Sequence, residues 1–155
     1  IKSIQKFKSR KLKNTGCIFT GYDKGYLDYL RNLAIKEKVQ DKIIFFNYLT
    51  NNELVYLYKN SFCVLFPSLI GFDSLPMYES FFFKKIILYN QNSIDKVFNK
   101  NIIPLDINNF HDLEKKILLL KSNKIFYDKF VLNNFQFYKQ KFLQLEKSYY
   151  KLFII

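Results

Sequence analysis

Phe66–Ser80, FPSLIGFDSLPMYES, decides how this chain is read. An apolar run of β-formers, Phe62-Cys63-Val64-Leu65-Phe66, leads into it as a strand. Pro67, Gly71 and Pro76 punctuate a loop, and a helix is predicted from Pro76 to about Phe83 with Glu79 in its first turn. A strand, a glycine-containing loop and a helix start form the arrangement with which open α/β sheets hold anionic ligands. Free backbone N–H groups and the positive end of the helix dipole converge at the carboxyl end of the strand. Gly71, without a Cβ, lets the backbone approach a ligand closely.

Working outward, the same alternation recurs. Upstream, Cys17-Ile18-Phe19 is a short strand closed by Thr20-Gly21, and Asp23 to Lys38 carries a helical stripe of Tyr26, Leu27, Leu30, Leu33 and Ala34. Ile43-Ile44-Phe45-Phe46 is the next strand. Thr50-Asn51-Asn52-Glu53 is a capping box, opening a helix that turns Leu54, Leu57 and Tyr58 inward. Downstream, Ile86-Ile87-Leu88 and Ile102-Ile103 read as strands, the second ending at Pro104 because a residue before proline is driven to extended geometry. Asn108 or Asn109 caps a helix bearing Leu113, Ile117 and Leu120. A long aromatic-rich helix follows from Ile125 to about Leu152, with a break expected near Asn133-Asn134.

Strands that are short continuous apolar runs, alternating with helices, belong to a parallel sheet covered on both faces. Right-handed crossovers then make the expected fold an α/β, Rossmann-like, doubly wound parallel sheet with helices on both faces. One domain over residues 1–155 is expected. Its first residues read as a helix already under way, with apolar Ile4, Phe7 and Leu12, so truncation at the front is expected.

With 155 residues the chain can bury roughly 70% of its unfolded surface. No apolar run approaches the roughly 20 residues of a membrane span, and no signal peptide precedes the first strand, so a cytoplasmic protein is expected. Cys17 and Cys63 lie inside strands without metal-ligand spacing, and His111 is the one histidine, so no metal site and no cofactor are expected. The formal charge of +12 invites a nucleic-acid reading. Of the 25 basic residues, however, only Arg10 and Arg31 are arginine, the residue that reads bases and phosphates bidentately. Abundant Lys, Asn, Ile, Phe and Tyr together point to an AT-rich coding bias. What remains is a basic surface suited to a phosphorylated substrate, or to peripheral association with an anionic membrane at its inner face; nucleic acid is not an expected partner.

Three blocks in order, IFTGYDKGYLDYLRNLA, DKIIFFNYLTNNELVYLYKNS and FPSLIGFDSLPMYES, resemble the C-terminal, donor-binding domain of retaining glycosyltransferases of the GT-B fold, the group 1 (family 4) class. The likeness runs from about Thr15 to Leu120. In that family the last block commonly reads P-S-x-x-E-G-F-G-x-P-x-x-E, and its final glutamate, here Glu79, grips the ribose hydroxyls of a nucleotide-sugar donor. The family's first glutamate, which contacts the sugar, is replaced by Gly71. Gly71-Phe72-Asp73-Ser74-Leu75-Pro76 resembles a variant with glycine there, and Asp73 is the alternative sugar-contacting group. Gly21 lies in a loop at the sheet edge where the family places its donor cleft, and Tyr48-Leu49 where it clasps the nucleotide base.

The resemblance implies transfer of a sugar from a nucleotide diphosphate to an acceptor hydroxyl with retention, by one lobe of a two-lobed enzyme whose N-terminal lobe holds the acceptor. The family's diphosphate-neutralising Arg and Lys would precede Ile1. No catalytic residue is assigned. One departure concerns the turn after the helix, Gly-x-Pro in the family and Lys84-Lys85-Ile86 here, which is expected to be altered. The competing reading is a degenerate, non-catalytic Rossmann-like module that binds a nucleotide or a partner. Without the resemblance, Glu79 and Gly71 read equally as a helix-start carboxylate and a turn glycine.

Overall fold

The computed structural model describes residues 1–7, 12–69, 75–93, 98 and 100–153, with side chains as far as residue 144. Contacts divide it into two compact units, Ile1–Leu57 with Leu105–Ser122, and Tyr58–Pro104 with Asn123–Ile155.

The first unit holds α1 (Lys2–Gln5), β1 (Cys17–Thr20), α2 (Leu27–Lys36), β2 (Ile43–Phe46), most of α3 (Asn51–Asn60) and α5 (Asp112–Ser122). β1 and β2 pair in parallel, with Cys17 opposite Ile43 and Thr20 opposite Phe46. Side chains alternate across the pleat, so Cys17, Phe19, Ile43 and Phe45 pack with Ile4, Ala34 and Val39 into one core. Ile18, Thr20, Ile44 and Phe46, on the opposite face, are exposed. The Thr50–Glu53 capping box forms: the Glu53 N–H donates to Thr50 Oγ1, and the Thr50 N–H donates to Glu53 Oε2 at 2.8 Å.

The second unit holds β3 (Cys63–Phe66), α4 (Leu75–Phe82), β4 (Ile86–Asn90), most of β5 (Ile103–Leu105) and α6 (Lys124–Phe153). The strand order is β3-β4-β5, with β3 and β4 parallel and Phe66 opposite Tyr89. All five residues of β4 are buried, as its continuous apolar run requires of a central strand. Met77 and Phe81 of α4 pack over Ile87 and Tyr89, and Phe98, Ile102 and Phe137 complete the cluster. Burying each of these large side chains contributes about 1.5–3 kcal/mol of transfer free energy. Parallel strands in sheets flanked by helices make this a Rossmann-like α/β fold.

Four boundaries differ from the sequence expectations. α2 starts at Leu27, not Asp23, because the Asp23 carboxylate accepts from the Tyr26 and Leu27 N–H groups and holds the preceding residues in a turn. β5 runs through Pro104, which is tolerated because β5 is a terminal strand of its sheet and needs a ladder donor on one side alone. α5 starts at Asp112, because Asn109 uses its side-chain oxygen to accept from the His111 N–H in a turn ahead of the helix. His111 is exposed at the residue before α5. α6 is continuous through Asn133-Asn134, because Asn134 is buried and its amide is satisfied from outside the helix by Asn101.

The turn after α4 closes without a glycine. Lys84 adopts φ +54°, its N–H donates to Phe81 O, and the Lys85 N–H donates back to Ser80 O at 2.7 Å. These two bonds make a Schellman C-cap with a lysine in the left-handed position. α2 ends identically, with Lys38 at φ +56° and the Val39 N–H donating to Ala34 O.

Candidate functional site

In the first unit a cleft of about 260 Å³ opens at the carboxyl ends of β1 and β2, walled by Phe19, Gly21, Tyr22, Leu27, Phe45 and Phe46 among others. Gly21 lines it, and Gly25 follows in the same loop. Gly21 at φ +141° and Gly25 at φ +91° hold conformations that L side chains rarely adopt, and nothing lies within 4 Å of where a Cβ would stand. Between them Asp23 organises the loop. Its Oδ1 accepts from the N–H groups of Gly25, Tyr26 and Leu27 at 2.8, 2.9 and 3.1 Å. Its own N–H donates to Asn47 Oδ1 at 2.6 Å, tying the loop after β1 to the residue after β2.

Those bonds, the one from Leu27 foremost, hold the Asp23 carboxyl below its ordinary value. They also occupy the N–H of Leu27, the first residue of α2, so a carboxylate of the chain itself sits at that helix start. The Tyr22 and Tyr48 rings lie 5.7 Å apart and tilted at 41°, both exposed. Gly21 therefore lines the cleft as its sequence position suggested. Tyr48 reaches the rim through Tyr22, and Leu49 is half-buried beside it in sequence.

In the second unit Glu79 is the fifth residue of α4, so its carboxylate sits in the second turn rather than the first. The helix begins at Leu75, one residue ahead of the expected Pro76, and the dipole contribution to the carboxylate at its fifth residue is correspondingly smaller. A different group steadies it. The Tyr58 hydroxyl, from the last turn of α3, donates to Glu79 Oε2 at 2.7 Å. Burial above all, then the hydrogen bond to Glu79 and its negative charge, push the Tyr58 phenol well above its ordinary value, so it stays a donor at any physiological pH.

Leu75 opens α4 and is exposed. Gly71, Phe72, Asp73 and Ser74 lie outside the described residues. Ser68, ahead of them in sequence, is anchored: buried Asn90 donates to Ser68 O at 3.0 Å and to Ser93 Oγ at 3.2 Å, and Ser93 Oγ donates to the same Ser68 carbonyl. Tyr58 and Asn90 were not singled out as site residues in the sequence, since each meets its partner across more than 20 positions. Among the described residues no group of three or more His, Cys, Asp or Glu side chains is arranged to hold a metal ion.

A loop of φ-positive glycines after one strand, and a buttressed carboxylate in the helix after another, match the order of the three sequence blocks. The family model for glycosyl transferases group 1 matches residues 1–137. The chain belongs to that family. Its chemistry is therefore glycosyl transfer: a bond from the anomeric carbon to a leaving group breaks, and one to an acceptor forms. No curated protein matches the sequence. Among the described residues no helix is long and apolar enough to cross a membrane.

Proposed function

We propose that this chain is the donor-binding lobe of a retaining glycosyltransferase that uses a nucleotide-diphosphate sugar. The reading is carried by Glu79, a half-buried carboxylate in α4 at the family motif's ribose-binding position, with Oε2 held by Tyr58 and Oε1 without a partner among the described residues. A ribose diol offers two adjacent O–H donors, and a carboxylate with about four lone-pair sites accepts both while keeping its bond to Tyr58. Gly21, Tyr48 and Leu49 are further proposed donor contacts, as are Gly71, Phe72, Asp73, Ser74 and Leu75 of the loop and helix start.

In this reading the anomeric C–O bond to the diphosphate breaks as the acceptor oxygen bonds to the same face of the sugar. The acceptor proton is lost and a nucleoside diphosphate departs; neither metal nor cofactor takes part. A second, N-terminal lobe supplies the acceptor and the opposite wall of the cleft, because rate depends on positioning within a water-poor site. The acceptor is a glycolipid or polysaccharide precursor, and the chain's +12 charge supports peripheral, salt-sensitive residence at an anionic cytoplasmic membrane face.

The test is calorimetric titration of the protein and its Glu79→Gln variant with nucleoside diphosphates. Loss of the carboxylate is expected to weaken binding by about 1–3 kcal/mol with the fold intact. Equal affinity for both proteins would remove Glu79 from the site.

A further inference from the structure

We infer that Tyr58 is a positioning residue for glycosyl transfer, a brace that presets the Glu79 carboxylate for a vicinal diol. This rests on the proposed role of Glu79 in donor binding. Glutamate has three side-chain torsions, and an unbraced carboxylate on a helix surface samples several rotamers, which a ligand must freeze on binding. Here the freezing is done during folding. Tyr58 is 8% exposed, and its Oη···Oε2 distance of 2.7 Å is that of a charge-assisted bond.

The brace is itself braced. The Tyr58 ring stacks on Phe83 with centroids 5.1 Å apart and planes 13° apart. Phe83 follows Glu79 by four residues, and its N–H donates to the Glu79 carbonyl at 2.9 Å, continuing the helical ladder. Residues four apart share a helix face, so α4 grips one tyrosine twice: by ring stacking through Phe83 and by hydrogen bonding through Glu79. At the other end, the Ser61 hydroxyl donates to the Tyr58 carbonyl at 3.1 Å and pins the backbone where α3 ends. Tyr58 and Glu79 are 21 residues apart in sequence but lie in the same unit, so this clamp couples the direction of the carboxylate to the packing of the last residues of α3 against α4. Lys85 adds a second tie between the same elements, its Nζ donating to the Lys59 carbonyl at 2.8 Å.

The arrangement divides the carboxylate's work. Oε2 faces the phenol, whose single proton points at it. The remaining lone pairs of Oε2 and both of Oε1 are left in a fixed plane for two hydroxyls of a ligand. A ligand with one of those hydroxyls missing gains little from the fixed plane. Tyr58 is therefore a determinant of selectivity for ribose over 2′-deoxyribose.

The experiment compares the full chain with Tyr58→Phe, Glu79→Gln and the double variant, titrating UDP, GDP and ADP and their 2′-deoxy counterparts by calorimetry. Tyr58→Phe is expected to weaken the preferred ribonucleotide roughly five- to tenfold while changing its 2′-deoxy counterpart less than about twofold. The double variant is expected to bind no more weakly than Glu79→Gln alone, because the brace acts only through the carboxylate. Phe83→Leu, which removes the ring stack and keeps the phenol, should lose selectivity in the same direction to a smaller extent. Equal weakening of ribo and deoxy ligands by Tyr58→Phe would make Tyr58 merely structural and overturn the proposal. So would ribose selectivity that survives Tyr58→Phe while vanishing in Glu79→Gln. Selectivity that survives Glu79→Gln, or no nucleotide binding by the unaltered chain, would instead overturn the donor-site reading beneath it.

Discussion

Asn134 and Asn101 bind each other reciprocally. The Asn134 amide donates to the Asn101 carbonyl at 2.7 Å, and the Asn101 amide donates to the Asn134 side-chain oxygen at 2.9 Å. Asn134 is 1% exposed in the middle of α6, where an unsatisfied amide would be costly. This pair lets a polar residue stand inside the second unit and fixes the rotation of α6 so that Phe137, one turn on, meets Phe81 and Phe98 edge-to-face.

Asn134→Leu should therefore destabilise the protein despite adding apolar surface. The Asn101 amide loses its partner and the leucine must fit a site shaped for a planar amide. A loss of about 1–3 kcal/mol is expected in chemical denaturation. A stability gain would mean that α6 can rotate to accommodate the leucine.

Lys38 and Lys84 both occupy the left-handed C-cap position, which costs an L residue about 1–2 kcal/mol. Lys38→Gly is expected to raise stability by about 1 kcal/mol, read as a higher denaturation midpoint at unchanged m-value. Lys84→Gly should gain less. The Lys84 ammonium lies 4.7 Å from the Phe135 ring centre, and losing that contact costs about 0.5–1 kcal/mol.

Acid should loosen the first unit. Asp23 is held below its ordinary 3.8 chiefly by the Leu27 N–H, and Glu53 below its ordinary 4.5 chiefly by the Thr50 hydroxyl. A carboxyl whose folded value is depressed favours the folded chain above its unfolded value, and that advantage is lost as pH falls through the folded one. Thermal midpoints are thus expected to fall below about pH 4. In Asp23→Ala that acid limb should be shallower; an unchanged limb would acquit Asp23.

Asn90→Ala removes three hydrogen bonds from a fully buried residue, those to Ser68, Ser93 and Asn92. A loss of about 2–3 kcal/mol is expected, from the lost bonds and the cavity. Faster hydrogen exchange at the backbone amides of 68 and 69 should accompany it, because the Ser68 carbonyl loses an anchor. Exchange that stays as slow as before would show that Ser93 alone holds it.

Much of the fold was legible because it is written in local chemistry. The apolar runs at Ile43–Phe46 and Ile86–Leu88 became strands, and the Thr50–Glu53 box opened a helix where both residues predicted it. Leu113, Ile117 and Leu120 turned to the core at helical spacing. The misjudged boundaries have two causes. Asn134 and Pro104 were overruled by a partner or a sheet position beyond a local window, whereas Asp23 and Asn109 accept from N–H groups two to four residues on and hold the chain in a turn ahead of the helix.

The candidate site divides along the same line. From sequence alone came the family blocks, the glycine loop at Gly21 and the identity of Glu79 as the carboxylate to watch, because spacing and residue type survive in a linear string. Only the tertiary structure decided that Glu79 sits a turn inside α4 and that Tyr58 holds one of its oxygens. Hydrogen bonds act over about 3 Å of space regardless of the residues between. A phenol 21 positions from its carboxylate leaves no trace in periodicity, and it becomes visible once the second unit is folded.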